Sequence, residues 1–299
     1  MNTTPVSNRY DFVLLYDVSY GNPNGDPDAG NMPRIDTETG VGLITDVCIK
    51  RKIRNYVDIV ASNQPGYRLY IRKDAPLRSS DAEALRYLGV NADKESIKEA
   101  KKTNKDLDIQ VRDFMCQNFF DIRAFGAVMT TFTEGGLNCG QVRGPVQIGF
   151  SRSVDPIMPQ DITITRMAIT KEEDAKNKQN EMGHKYIVPY GLYRCEGTIS
   201  ASLAQKVTGF NEDDLELLWE AILNMFDFDR ASARGRMALR KLVIFRHESA
   251  IGNAPAHKLY DLVTVERKPD VDYPRKFEDY TFAVNMDELP AGVSCEIKE

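Results

Sequence analysis

No stretch of this 299-residue chain approaches the roughly 20 consecutive apolar residues that a membrane-spanning helix needs. Apolar runs such as Phe12-Val-Leu-Leu15 and Leu242-Val-Ile-Phe245 are short. The opening residues Met1–Asn8 carry neither a basic nor an apolar region, so no secretory signal is expected there. Cysteine is sparse: Cys48, Cys116, Cys139, Cys195 and Cys295 form no CxxC and no pairing pattern, as in a reducing cytoplasm. Histidine is sparser still. His184, His247 and His257 leave little for a His-built metal site, and HExxH is absent. Walker A, GxSxG and protein-kinase signatures are absent as well. Gly40-Val-Gly42-Leu-Ile-Thr45 grazes a dinucleotide fingerprint, but its third position is threonine and residues 35–39 make a poor strand. No cofactor and no resident metal are expected.

An excess of positive charge is also missing. Thirty-nine basic residues face 44 acidic ones, a net charge of −5, which excludes a uniformly basic nucleic-acid-coating surface. The distribution is uneven. Residues 9–46 carry seven acids against Arg9 and Arg34, whereas Lys50, Arg51, Lys52 and Arg54 stand without an acid between Val47 and Val57. A second island holds Arg230, Arg234, Arg236, Arg240, Lys241 and Arg246. Two basic islands in an acidic chain imply a confined anion track.

What is present is an ordinary globular chain, 42% hydrophobic and 28% charged, long enough for a sizeable core. Tyr10–Tyr20 predicts a strand, with Tyr10, Phe12, Leu14, Tyr16 and Val18 on one face and Val13 and Leu15 on the other. A long shaped loop, Gly21–Pro33, follows. Thr45 or Asp46 then caps a helix to about Val60, with Ile49, Ile53, Tyr56 and Val60 as its buried stripe and Lys50, Arg51 and Arg54 on the flank. Residues from about 62 to 125 read as a helical insertion. Ser80-Asp-Ala-Glu83 looks like a capping box, Gly89 like a stop, Ala92–Lys102 like a short helix, and Leu107, Val111, Phe114, Met115 and Phe119 like an apolar face. Cys139–Arg152 returns to strand, with glycines spaced for close backbone approach. Residues 161–201 read as a long β-hairpin whose tip, 171–183, has no core-forming pattern and is expected to be mobile. Asn211 caps a helix carrying Leu215, Leu218, Trp219, Ile222 and Phe226, and strands are expected at Leu239–His247 and Leu259–Val265. The order is βαββαβ with additions: an α+β, ferredoxin-like or RRM-like plan in one domain spanning 1–299 with two insertions.

Each candidate site has a plainer counterpart. Asp26 and Asp28, with Asp36 nearby, could gather a divalent cation for phosphodiester hydrolysis, or simply form turns. The Lys50/Arg51/Arg54 ridge could hold consecutive phosphates, or be a solvated helix face. Arg234-Gly-Arg236 allows close approach to a phosphate chain. Arg166 and Met167 could present a wedge against nucleobases, or Met167 could pack beneath the hairpin.

Asn22-Pro-Asn-Gly-Asp-Pro-Asp28, Gly30-Asn-Met-Pro-Arg34, Leu43-Ile-Thr-Asp-Val-Cys-Ile-Lys-Arg-Lys-Ile-Arg54 and Gln141-Val-Arg-Gly-Pro-Val-Gln147 together resemble the backbone subunit of type I CRISPR Cascade complexes, closest to the type I-C branch. The likeness runs in order from Tyr10 to about Val265. It implies a modified RRM palm, a helical finger-like insertion and a hairpin thumb. Copies would stack head to tail along one CRISPR RNA and contact other Cascade subunits in the cytoplasm, displaying the guide for pairing with target DNA. Carried onto this chain, Lys50, Arg51, Arg54 and the Gln141–Gly144 segment, with Gln141 and Arg143, would grip phosphates; Arg34, Arg234 and Arg236 are further RNA-binding candidates beside them. Arg166 and Met167 would lie on the thumb. Related type III subunits cleave RNA with an aspartate in the loop after the first strand, a region comparable to Asp26 and Asp28. Type I systems delegate cleavage to another protein, so a non-enzymatic antiviral-defence subunit is the expectation.

Overall fold

The computed structural model describes residues 4–73, 75–129, 137, 139–166 and 181–299. β1 (Tyr10–Gly21) is its spine. Tyr10, Phe12, Leu14, Tyr16 and Val18 enter one buried cluster, while Val13 and Leu15 enter another on the opposite face. Two-residue alternation dictates that split. Each large apolar side chain removed from water there contributes about 1.5–3 kcal/mol.

A small ribbon follows, β2 (Gly25–Asp26) with β3 (Met32–Pro33), then β4 (Val41–Ile44) and helix α1 (Asp46–Val60). Thr45 caps α1, its Oγ1 accepting from the Cys48 N–H at 3.3 Å. Asn24 Oδ1 holds that cap by accepting from both the Thr45 N–H and its hydroxyl, each at 3.0 Å. The buried stripe is Ile49, Ile53, Tyr56 and Val57. Val60, expected in it, is exposed along with Ile59, because the final turn of α1 reaches the surface.

Helices α2 (Leu77–Tyr87), α3 (Lys94–Thr103), α4 (Leu107–Asn118) and α5 (Phe120–Phe125) bury a separate cluster that includes Leu85, Ile97, Val111, Phe114 and Met115. Gly89 ends the first of them at φ +74°, with the Val90 N–H bonded back to the Leu85 carbonyl at 2.9 Å. Ser80 does not begin it. The helix already runs from Leu77, and Pro76, with φ −63°, sets the entry of the chain instead.

β5 (Gly126–Val128) pairs with β6 (Gln141–Arg143), and β7 (Val146–Ile148), β8 (Ser151–Pro156), β9 (Gln160–Arg166) and β10 (Glu181–Ile199) follow. β10 has two partners along its length: Glu181–Ile187 pairs with β9, and Val188–Ile199 lies against β1. The hairpin therefore stands apart from the central strands only up to Ile187, not to 201. Its expected tip is also shorter, since Met182 and Gly183 are already in register with Thr165 and Ile164. Residues 171–180 and Met167 lie outside the described residues.

α6 (Ala201–Leu203) leads to α7 (Glu212–Phe228), whose capping box joins Asn211 and Asp214 and whose Leu215, Leu218, Trp219, Ile222 and Phe226 are buried. β11 (Arg236–His247) pairs with the free side of β1. α8 (Ala256–Asp261), β12 (Val263–Arg267), β13 (Tyr280–Val284) and β14 (Val293–Lys298) complete the chain. Leu259, expected to open a strand, lies in α8, and the strand starts at Val263. A short apolar run cannot distinguish the two periods.

The large sheet is antiparallel and eight-stranded, ordered β14–β11–β1–β10–β8–β4, with β7 and β9 also on β10. α1 and α7 cover one face. On the other, α8 and β12 supply Leu259 and Val263 against Val13, Leu15, Val243 and Phe245. The architecture is mixed α+β. Among the described residues no helix is long and apolar enough to cross a membrane.

Candidate nucleic-acid interface

The first basic cluster forms where β1 ends. At Gly21 a Cβ would lie 1.9 Å from the Arg234 carbonyl oxygen, and at Gly235, with φ +62°, one would lie 2.4 Å from the Tyr20 oxygen. Only glycine permits the two backbones to interlock so closely. The Asn22 N–H fastens the same place by donating to the Ala233 carbonyl at 2.8 Å. The loop after β1 and the Arg234-Gly-Arg236 turn, distant in sequence, thus form one edge beside α1.

Asp229 is the hub of that edge. Its carboxylate takes Lys52 Nζ at 2.5 Å, Arg234 Nη1 at 2.7 Å and Asn55 Nδ2 at 3.1 Å. One carboxylate between two cations leaves net positive charge. Arg236 is exposed at the start of β11, Lys185 Nζ donates to Ser232 Oγ at 2.8 Å, and Arg34 pairs with Asp26 at 3.3 Å. Arg34 Nε is buried and has no hydrogen-bond partner among the described residues. Burial raises the Cys48 thiol above its ordinary value, aided by Asp229 and against the pull of Lys52, Arg234 and Arg34.

The α1 ridge is less uniform than its sequence suggests. Lys50 pairs with Asp46 one turn earlier at 2.8 Å, and Arg51 Nε donates to Asn55 Oδ1 at 3.1 Å. Arg54 is not an exposed ridge residue. It is buried, with Nε on Asp121 at 2.9 Å, because Asp121 would otherwise be a lone carboxylate in the interior. Lys50 and Arg54 both lie over the Phe125 ring, at 5.8 and 5.2 Å from its centroid. Phe125 leads into β5, whose partner β6 carries Gln141 and Arg143 on its exposed side and Val142 inward. Backbone contact is close here too, since a Cβ at Gly144 would lie 2.3 Å from the Phe125 carbonyl carbon.

Lys50 and Arg54 thus lie on Phe125, which leads to the β5–β6 pair carrying Gln141 and Arg143, while Arg51 is linked separately through Asn55 and Asp229 to Arg234. Arg166 ends β9 in register with Glu181, on the hairpin. Asn55 and Lys185 were not foreseen, and Lys52, counted in the first basic island, was not singled out as a contact. The i,i+4 spacing of Arg51 and Asn55 is a usable signal, whereas Lys52 gives none, its acid lying 177 positions away.

The aspartates after β1 have structural tasks. Asp26 Oδ1 accepts from the Asp28 N–H at 3.1 Å, capping a 3-10 turn, and its Oδ2 faces Arg34. Asp28 is exposed. Asp36 accepts from the Thr39 hydroxyl at 2.8 Å and the Glu38 N–H at 3.1 Å, and those bonds hold its carboxyl pKa below the usual carboxylate value. Among the described residues no three His, Cys, Asp or Glu side chains gather as metal ligands would.

The fold and this band define an α+β protein with a local cationic surface on an acidic chain. Residues 8–285 match the sequence profile of the family described as CRISPR-associated protein Cas7, and the chain belongs to that family. The CRISPR-associated protein Cas7 of Haloferax volcanii is 24% identical over 275 residues, 86% of this chain and 75% of its own length. Among solved structures, a chain of a "CRISPR RNA-guided surveillance complex, pre-nicking" aligns at TM-score 0.48 and 14% identity, covering 79% of this chain and 78% of that one. A chain of a type III-B Cmr-beta complex bound to cognate target RNA aligns at 0.42 and 12%, covering 79% and 61%. Likeness at that level carries no residue-by-residue correspondence.

Proposed function

We propose that the chain is the backbone subunit of a Cascade-type surveillance complex, coating CRISPR RNA irrespective of its sequence and presenting it to target DNA. Family membership supports the setting. The observation that carries the RNA-binding part is the pair of basic groups that α1 brings together, Lys50 over Phe125 beside the strand carrying Gln141 and Arg143, and Arg51 linked through Asn55 and Asp229 to Arg234, next to the exposed Arg236. Guanidinium and ammonium groups spaced along one edge suit phosphates, and phosphate contacts carry no sequence information. Strand order β11–β1–β10–β8, with two helices on one face, supports an RRM-like palm. In that reading the α2–α5 block is a finger-like insertion, the β9–β10 hairpin a thumb, and the chain a single domain. The opposite sheet face is already covered by α8 and β12, which favours binding along the edge over stacking on the sheet. The type I-C branch, head-to-tail filament, cytoplasmic setting and lack of catalysis belong to the same proposal.

The test is salt-dependent RNA binding by Lys50→Ala with Arg51→Ala. Arg54 is left intact because its loss would strand Asp121. Affinity should fall alike for unrelated guides, and the slope of log K against log salt should shrink by about 0.7 per phosphate contact removed. A loss confined to one guide sequence contradicts the reading. Cleavage of that RNA with Mg²⁺, abolished by Asp26→Ala or Asp28→Ala, would establish the nuclease alternative.

A further inference from the structure

Ile251 is the most exposed large apolar side chain among the described residues, 84% open to solvent, yet the loop that carries it is braced from beneath. The Ser249 N–H donates to Asn253 Oδ1 at 3.0 Å, the Gly252 N–H to the Ser249 carbonyl at 3.2 Å, and the Asn253 N–H to His247 Nδ1 at 2.8 Å. Because Nδ1 accepts, the imidazole proton sits on Nε2, which donates to Asp11 at 2.8 Å. Asp11 and His247 are fully buried, and Arg9 closes the network. It pairs with Asp11 at 3.0 Å and donates through Nη1 to the Ile251 carbonyl at 3.2 Å. Gly252, at φ +104°, lets the chain turn over that guanidinium, since a Cβ there would lie 2.7 Å from Arg9 Nη1. A lone exposed apolar residue needs no explanation, but one held out by a buried polar network is a preorganised knob.

A socket of matching chemistry lies at the other end of the molecule. β10 meets β8 at Tyr193 and Arg194 and β9 at Ile187, and between them Val188–Leu192 pair with neither. The gap opens a groove of about 370 Å³ between the β8–β9 connection and the segment joining β12 to β13. Pro156, Ile157, Pro189, Tyr190 and Leu192 line it, and Met158 and Tyr273 stand at its rim, 74% and 73% exposed. The Tyr280 hydroxyl fixes one wall by donating to Asp155 at 2.8 Å. The knob follows the end of β11, where Arg246 pairs with Tyr10, whereas Tyr190 in the groove pairs with Ser19. The length of β1 between Tyr10 and Ser19 is about 30 Å.

We infer that Ile251 of one copy of this chain seats in the groove of the next. Charge favours that occupant. Glu248 is exposed beside the knob. At the groove Asp155 and the Asp272 carbonyl already engage Arg267, at 3.8 and 3.1 Å, while the Arg275 guanidinium donates to the Pro274 carbonyl and makes no ion pair among the described residues. The contact is heterologous, with its two halves at opposite ends of β1, so it propagates from copy to copy. This inference rests on the head-to-tail reading above and names its surfaces.

The experiment uses the full chain on a long unstructured single-stranded RNA. Ile251→Cys with Tyr273→Cys, mildly oxidised, should give a ladder of covalent multimers on a non-reducing gel, because the two positions are too far apart to bridge within one chain. Neither single variant should give one. Ile251→Asp should keep the wild-type thermal midpoint and lower the assembly mass in light scattering several-fold; if the midpoint falls, the ladder alone decides. Absence of the ladder while large assemblies still form on RNA overturns the knob and socket and leaves the head-to-tail reading standing, as does an Ile251→Asp assembly of unchanged mass. Covalent dimers from Ile251→Cys alone overturn it in favour of a symmetric contact. A wild type that stays monomeric on RNA overturns both readings.

Discussion

Gly21 and Gly30 occupy the same loop and have unlike reasons to be glycine. A Cβ at Gly21 collides with the Arg234 backbone, whereas Gly30, with φ +60°, has nothing within 4 Å of that position. Gly21→Ala should cost about 1–3 kcal/mol as overpacking and should weaken RNA binding by displacing the Arg234–Arg236 turn. Gly30→Ala should cost about 1–2 kcal/mol from its left-handed backbone alone and leave RNA binding intact. Urea unfolding with parallel RNA titrations checks both, and equal RNA affinity in the two variants contradicts the interlock. At this scale the candidate site was only partly legible. The basic character of α1 was evident, but which cation is buried was not. Arg54 and Lys52 are matched to Asp121 and Asp229, 67 and 177 positions away, and local charge patterns hold no trace of such partners.

Among the elements, Arg123 joins three that local signals describe separately. From α5 it forks onto Asp214 in the first turn of α7, with Nε and Nη2 each at 2.7 Å. Its Nη1 reaches the Cys116 and Gln117 carbonyls at the end of α4, at 2.9 and 3.3 Å, and the Gly66 carbonyl at 3.0 Å. One guanidinium thereby satisfies carbonyls that a helix end leaves open and neutralises a fully buried carboxylate. Arg123→Met should cost about 3–5 kcal/mol in urea unfolding, and adding Asp214→Asn should recover part of it, since the stranded charge is then gone. A loss below about 1 kcal/mol, typical of a surface pair, contradicts this role. Elements governed by their own residues were readable: the two faces of β1, an N-cap of α1 at Thr45 or Asp46, the Gly89 stop and the Asn211 cap. The start of α2, the helix at Leu259 and the double pairing of β10 were not. Each is decided by what the segment packs against rather than by its own pattern.

Over the whole molecule, an acidic chain gathers a group of its cations beside α1 and the Arg234–Arg236 turn, while one face of the large sheet is covered by α8 and β12. A protomer built this way suits a strand running past it better than one wrapped around it. In the proposed assembly, contacts between copies that do not close on themselves would extend such an edge into a continuous track. The central claim is that repeated copies each shield one segment of a guide RNA. Purification from cells carrying the native locus, nuclease treatment and sizing of the protected RNA tests it most directly. The account predicts a ladder of constant increment co-eluting with a large assembly, whatever the guide sequence. A monomer that protects no RNA even when guide is supplied would contradict it.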